Sequence, residues 1–206
     1  MTTLLQINSS INSGHGESSR LADQFVTRWG QNNPGANVVV RDLAHDPVPH
    51  LTAERFQSFV ATPEKRTAEQ QRVVAYSDAL IEELRRADVI VLGLPMYNFG
   101  IPSMLKAYFD HVARAGVTFR YTANGPEGLL KGKKAYVFAT RGGIYAGTPL
   151  DTQTDYVRTF LRFLGITEVE FVYAEGLAMS EMRKQAALAE AGNAIALLSA
   201  PARIAA

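Results

Sequence analysis

Cysteine is absent from the 206 residues. That removes disulfides, thiolate nucleophiles, Cys-ligated zinc and iron–sulfur clusters together, and it fits a reducing compartment. Charge of one sign is also scarce: 21 Lys and Arg oppose 20 Asp and Glu, leaving +1. Such a balance carries no electrostatic footprint for nucleic acid or an anionic membrane. Long apolar runs are missing too. The most apolar stretch, Ala186 to Ala200, is broken by Glu190 and Asn193 and is too short to span a bilayer. The start, Met1-Thr2-Thr3-Leu4-Leu5, has neither a basic nor a long apolar segment, so no secretory signal is expected. No G-x-S-x-G, H-E-x-x-H or paired-carboxylate signature is present, and there is no internal repeat. With 47% hydrophobic and 20% charged residues, the composition predicts one globular, cytoplasmic domain over residues 1–206.

Short β-rich runs alternate with helical patterns. Strands are expected at Thr3 to Asn8, Asn37 to Leu43, Asp88 to Pro95, Lys134 to Thr140 and Glu168 to Ala174. The third, V-I-V-L-G-L at its centre, is apolar throughout, as a strand covered on both faces must be. Helical stripes fill the gaps. Leu21, Ala22, Phe25, Val26 and Trp29 follow Ser18 or Ser19 as N-cap, and Val73, Tyr76, Leu80, Ile81 and Leu84 lie within 67–87. Further helices begin at Pro102, end at Gly165, and run from Ser180 to Ser199. The alternation predicts an α/β three-layer sandwich with a five-stranded parallel sheet in the flavodoxin-like order 2-1-3-4-5. Ligands in such folds sit beyond the carboxyl ends of the strands, which directs attention to loops 9–18, 95–101 and 140–147.

The first of these loops, Ser9 to Ser19, is rich in hydroxyls and glycine. It reads equally as a polar surface loop with a serine cap and as a phosphate site at a helix N-terminus. A dinucleotide fingerprint fails, because Gly14 comes six residues after Asn8 and Ser19 fills the third glycine slot. The lysine- and glycine-rich run 128–134 precedes a strand and has the wrong spacing for a Walker loop. A long serine-bearing loop suits a terminal monophosphate such as that of FMN. With no Lys or Arg before Arg20, neutral hydrogen bonds and the helix dipole would hold it.

The second loop, Pro95-Met96-Tyr97-Asn98-Phe99-Gly100-Ile101-Pro102, places two aromatics, a methionine and an amide at a strand end. They suit a flat ring, although a hydrophobic loop covering the next helix has the same composition. In the third, Thr140-Arg141-Gly142-Gly143, paired glycines permit close backbone approach, and Arg141 is a candidate cation near a ring edge. The four histidines form no catalytic set. His45 and His50 flank a proline-rich stretch, His111 is expected on the polar side of its helix, and His15 on the surface.

P-M-Y-N-F-G-I-P (95–102) and T-R-G-G (140–143), with the S-S-I start of the first loop, resemble the FMN-dependent NADH:quinone oxidoreductases, also called FMN-dependent NADH-azoreductases. Stretches 113–121, 124–129 and 160–166 match as well, so the resemblance covers nearly the whole chain. It implies non-covalently bound FMN, a homodimer, and ping-pong transfer of two electrons from NADH to a quinone or azo compound. Carried over by position, it puts the FMN phosphate on Ser10, Gly16, Glu17 and Ser18. The ring falls against Met96, Tyr97, Asn98 and Phe99, with its polar edge at Thr140, Arg141, Gly142 and Gly143. Gly16 stands where a hydroxyl residue is common in the family, and Thr140 where serine is common.

Aromatics outside these loops have two readings. Phe119 and Tyr121 lie in a long glycine-bounded excursion, Gly116 to Lys131. Phe163 and Tyr156 sit about 20° apart on one edge of a helical stripe. Core filling is one reading. The resemblance implies the other, in which Phe119, Tyr121 and Phe163 wall the substrate site over a partner subunit's flavin. A non-enzymatic flavodoxin-type electron carrier and a ligand-binding protein without turnover are the alternatives to an enzyme. A carrier relies on an acidic surface, which the charge balance does not supply.

Overall fold

The apolar runs pair as parallel strands, and the residues between them return as helices. The computed structural model describes residues 1–200; residues 201–206 of the expected single domain lie outside the described residues. In chain order the elements are β1 (Thr3–Asn8), α1 (Glu17–Asn32), β2 (Asn37–Asp42), α2 (Ala53–Val60), α3 (Ala68–Arg86), β3 (Val89–Pro95) and α4 (Ser103–Val112). They continue with β4 (Phe119–Thr122), β5 (Gly125–Gly128), β6 (Lys134–Thr140), α5 (Thr154–Leu164), β7 (Glu168–Ala174) and α6 (Glu181–Leu198). The main sheet runs β2-β1-β3-β6-β7, all parallel. This is the expected five-strand order, with β4 and β5 inserted as a separate antiparallel hairpin.

Period-two alternation divides the core. Leu5, Ile7, Ile90, Leu92 and Val137 pack against α3, α4 and α5. Their neighbours Leu4, Val91, Tyr136, Phe138 and Val172 pack against α1 and α6. Strands covered on both faces read as continuous apolar runs for this reason. Among the described residues no helix is long and apolar enough to cross a membrane.

Several expectations change. The N-cap of α1 is Gly16 rather than Ser18 or Ser19, which lie buried in the first turn. The excursion from Gly116 to Lys131 is not an open loop: Phe119 to Thr122 pairs with Gly125 to Gly128. The hairpin docks where Gly128 meets Gly165 at the end of α5; a Cβ on Gly128 would lie 2.1 Å from the Gly165 nitrogen. The short α2, capped by the Thr52 hydroxyl, follows the proline-rich stretch in a segment where no element was read.

His111 is the clearest reversal. It is fully buried, its Nδ1 bonds the Ala107 carbonyl at 2.9 Å, and Nε2 has no partner among the described residues. Phe59 and Tyr76 meet its ring edge-on, so α2 and α3 cover the side of α4 that had been read as polar. Burial pushes the imidazole below its ordinary 6.5, and the Ala107 bond only partly opposes that. The unfolded chain therefore takes up a proton near 6.5 that the folded chain refuses, so His111 withdraws stability as pH falls below that value. Urea midpoints taken between pH 7.5 and 5 should fall in the parent protein and fall measurably less in His111→Leu.

Candidate functional site

The carboxyl ends of β1, β3 and β6 release three loops at one rim of the sheet, and a cleft of about 170 Å³ opens among them. Its walls bring together Ser10, Gly16, Glu17, Met96, Tyr97 and Thr140, with the backbone of Arg141 and Gly142. Gly93 in β3 lets the first turn of α1 sit this close to the sheet: a Cβ there would lie 3.1 Å from the Ser18 carbonyl oxygen.

The first turn of α1 is a set of unpaired donors. The amides of Glu17, Ser18 and Ser19 precede the first intrahelical bond, which Arg20 makes to the Gly16 carbonyl. The hydroxyls of Ser18 and Ser19 are buried with no partner among the described residues. Ser19 was read from the sequence as a candidate N-cap and not as a ligand, unlike Ser18. Gly16 contributes differently than expected. Its amide is already bonded to the Ser13 carbonyl, and a Cβ would meet the Ser10 hydroxyl at 2.2 Å. Glycine at this position therefore leaves room for Ser10. The Ser10 hydroxyl accepts from the Asn12 amide and reaches the Tyr97 hydroxyl at 3.3 Å, tying the first loop to the second. Lys184 of α6 pairs with Glu17 at 2.9 Å, and that carboxylate raises the lysine's proton affinity. The pair brings a cation near the turn that no local pattern announced.

The second loop is a reversed turn. Tyr97 and Gly100 exchange both backbone bonds, at 3.1 and 3.0 Å, around Asn98 (φ 49°) and Phe99 (φ 62°). Positive φ at both central residues defines a type I′ turn. Asparagine tolerates that region, but phenylalanine pays roughly 1–2 kcal/mol for it. The turn leaves the Asn98 and Phe99 side chains exposed, next to Met96 and Tyr97 of the cleft wall.

The third loop corrects the expectation for Arg141. Its guanidinium is fully buried and points away from the cleft, bonded to Glu175 (3.1 Å), Asp151 (2.8 Å) and the Thr154 hydroxyl (2.9 Å), over the Tyr173 ring. Burial pushes the Asp151 carboxyl up, but the bonds from Arg141 and Thr154 outweigh it and hold it below its usual range. Two carboxylates neutralise this cation within the fold, so it is not free to act at a ring edge. What the loop offers is backbone. The carbonyls of Arg141, Gly142 and Gly143 accept from Leu177, Ala178 and Gly176, while the amides of Gly142 and Gly143 have no acceptor among the described residues. The Tyr145 ring lies on Gly143 and beside Phe99, 5.4 Å between centroids.

Phe119, Tyr121 and Phe163 do not join this cleft. Phe119 packs on Phe163 at 4.3 Å and against Tyr121 edge-on. Arg85 at the end of α3 bonds Val117, and Leu130 bonds Leu164 at the end of α5. The hairpin therefore belongs to the amino-terminal rim of the sheet, opposite the cleft. Among the described residues no group of three His, Asp or Glu side chains is placed to hold a metal ion.

The profile of the Flavodoxin-like fold family matches residues 2–198. The chain is 59% identical over 196 residues to FMN-dependent NADH:quinone oxidoreductase 6 of Burkholderia lata, covering 95% of this chain and 99% of that one. The chain belongs to the flavodoxin-like family of FMN-dependent NADH:quinone oxidoreductases. A family member from Cellvibrio japonicus, named FMN-dependent NADH:quinone oxidoreductase, is 56% identical over 195 residues, covering 95% and 97%. Among solved structures, an azoreductase from Bacillus anthracis superposes with a TM-score of 0.89 at 27% identity, over 97% and 99% of the two chains. An FMN-dependent NADH-azoreductase from the same species, in complex with FMN, superposes at 0.86 and 27% identity, over 97% and 100%.

The donors buried in the first turn of α1 generate a two-sided prediction for a family member of this kind. Ser18→Ala or Ser19→Ala removes an unsatisfied hydroxyl, so the ligand-free protein should melt roughly 2–4 °C higher in calorimetry. The same variants should bind a phosphate monoester about five- to tenfold more weakly by titration.

Proposed function

We propose that this protein transfers two electrons from NADH, through bound FMN, to quinones and azo compounds. The observation that carries the reading is the rim itself, which gathers at the carboxyl ends of β1, β3 and β6 a helix N-terminus and glycine amides whose donors have no partner among the described residues, and a reversed turn, around one cleft. The residues present fit FMN. The α1 turn with Ser10, Ser18 and Ser19 offers hydrogen bonds to the phosphate without a direct cation, as a helix N-terminus does. Met96, Tyr97, Asn98 and Phe99 provide a face for the ring. The amides of Gly142 and Gly143 offer donors to its polar edge, where neutral dipoles stabilise developing negative charge. When bound, FMN supplies the capacity to accept and return a hydride equivalent. The chain's own part is to hold the ring, exclude water from its face and align the reactants in turn. No protein acid, base or nucleophile is required by this arrangement.

Both solved azoreductase relatives and the curated quinone oxidoreductases are named as enzymes, which favours turnover over an electron-carrier role. A homodimer is the assembly that fits. The aromatic hairpin sits at the rim opposite the cleft within one chain, so Phe119, Tyr121 and Phe163 can reach a ring only on a second copy. In that arrangement they stack planar acceptors over the partner's cofactor.

Purified protein should be yellow, bleach with NADH under nitrogen, and recolour on addition of a benzoquinone. A carrier would not bleach with NADH alone, and a colourless protein that took up no FMN would end the reading. Phe119→Ala and Tyr121→Ala should raise the quinone KM about fivefold in steady-state assays, with FMN affinity unchanged. Light scattering should give twice the chain mass.

A further inference from the structure

The segment that enters α5 does more than start a helix. Gln153 is fully buried at the residue preceding α5, yet its side chain caps no helical amide. Its Nε2 crosses instead to the second loop and donates to the carbonyls of Pro95 (2.9 Å), where β3 ends just before the reversed turn, and Gly100 (3.2 Å), the turn's last residue. The neighbouring Thr152 hydroxyl donates to the carbonyl of Phe99, the residue at φ 62°. One dipeptide thus ties three carbonyls within residues 95–100, where Asn98 and Phe99 are both left-handed. The dipeptide is anchored in turn. Arg141 bonds Asp151 on one side of it and Thr154 on the other, and Asp151 accepts from the Thr154 amide, which supplies the cap that Gln153 does not.

We propose that Gln153 is a positioning residue for the cofactor ring, buckling the Tyr97–Gly100 turn into its left-handed form, and that Arg141 acts through it. The inference rests on the reading that Met96 to Phe99 lie against FMN, and it assigns the turn's shape to a side chain outside that loop. Without the buckle, Phe99 is free to return to negative φ, which its side chain prefers, and the platform for the ring changes shape. The role proposed for Arg141 is mechanical: its charge is neutralised where it stands, and what it transmits to the cleft is geometry.

A double-mutant cycle tests this. Glycine adopts positive φ without strain, so a turn carrying Phe99→Gly needs no buckle. Gln153→Leu should raise the FMN dissociation constant about tenfold with Phe99 present and less than about twofold in the Phe99→Gly background. In the ligand-free protein the amides of Tyr97 and Gly100, bonded to each other's carbonyls across the turn, should exchange about tenfold faster in Gln153→Leu and regain protection in the double variant. Equal effects in both backgrounds would mean that Gln153 merely stabilises α5, and would overturn the proposal. Thr152→Val, at an exposed position, gives the same cycle with a smaller effect should Gln153→Leu fail to fold. A parent protein that bound no FMN would count against the proposed function, while amide exchange at Tyr97 and Gly100 would still decide the buckle.

Discussion

Polar groups removed from water without a partner destabilise a fold by about 1–3 kcal/mol each, and this chain gathers several at one place. The hydroxyls of Ser18 and Ser19 are buried, and neither they nor the first amides of α1 find an acceptor among the described residues. The rest of the rim is arranged around that demand. Gly93 allows the helix to approach the sheet, Gly16 allows Ser10 to stand beside the turn, and the Tyr97 hydroxyl joins the first loop to the second. On the proposed reading, an anion supplied from outside satisfies these donors together, so phosphate affinity and the unpaired donors are one quantity seen from two sides.

The reversed turn of the second loop follows a related logic. A turn with phenylalanine at positive φ is unfavourable alone and persists only where its surroundings determine it. Here the surroundings come from a distant segment, residues 151–154, and behind it from Arg141 between two carboxylates. A buried cation held in this way contributes order rather than field. The electrostatic part of the site is left to dipoles, the helix terminus and the glycine amides, which need no counter-charge and do not titrate.

Legibility from sequence varied with the range of the interaction. Strands β1, β2, β3, β6 and β7 were readable to within a residue, the inner ones because burial on both faces leaves an apolar run with abrupt ends. So were α3, through its apolar stripe within 67–87, and the end of α5, through Gly165. The hairpin was not: Gly125-Pro126-Glu127-Gly128 has no β signature, and it pairs because Gly128 can approach Gly165 from far along the chain. His111 was misread because its helix is covered on a second side by Phe59 and Tyr76, whose positions no local period encodes.

The loops of the cleft could be recognised one at a time from serine, aromatic and glycine content at strand ends, since parallel strands must deliver their carboxyl termini to a common rim. Direction could not. Residue type told that Arg141 is a cation beside paired glycines; only the positions of Asp151 and Glu175, 10 and 34 residues away, turned its charge from the cleft into the interior. The same holds for Gln153 and Lys184, polar residues of helix termini that gain a role at the rim through contacts across the fold. Local chemistry settles which backbone conformations and burial patterns a segment prefers. Which partner a long side chain finds depends on which distant segments the folded chain brings within about 3 Å.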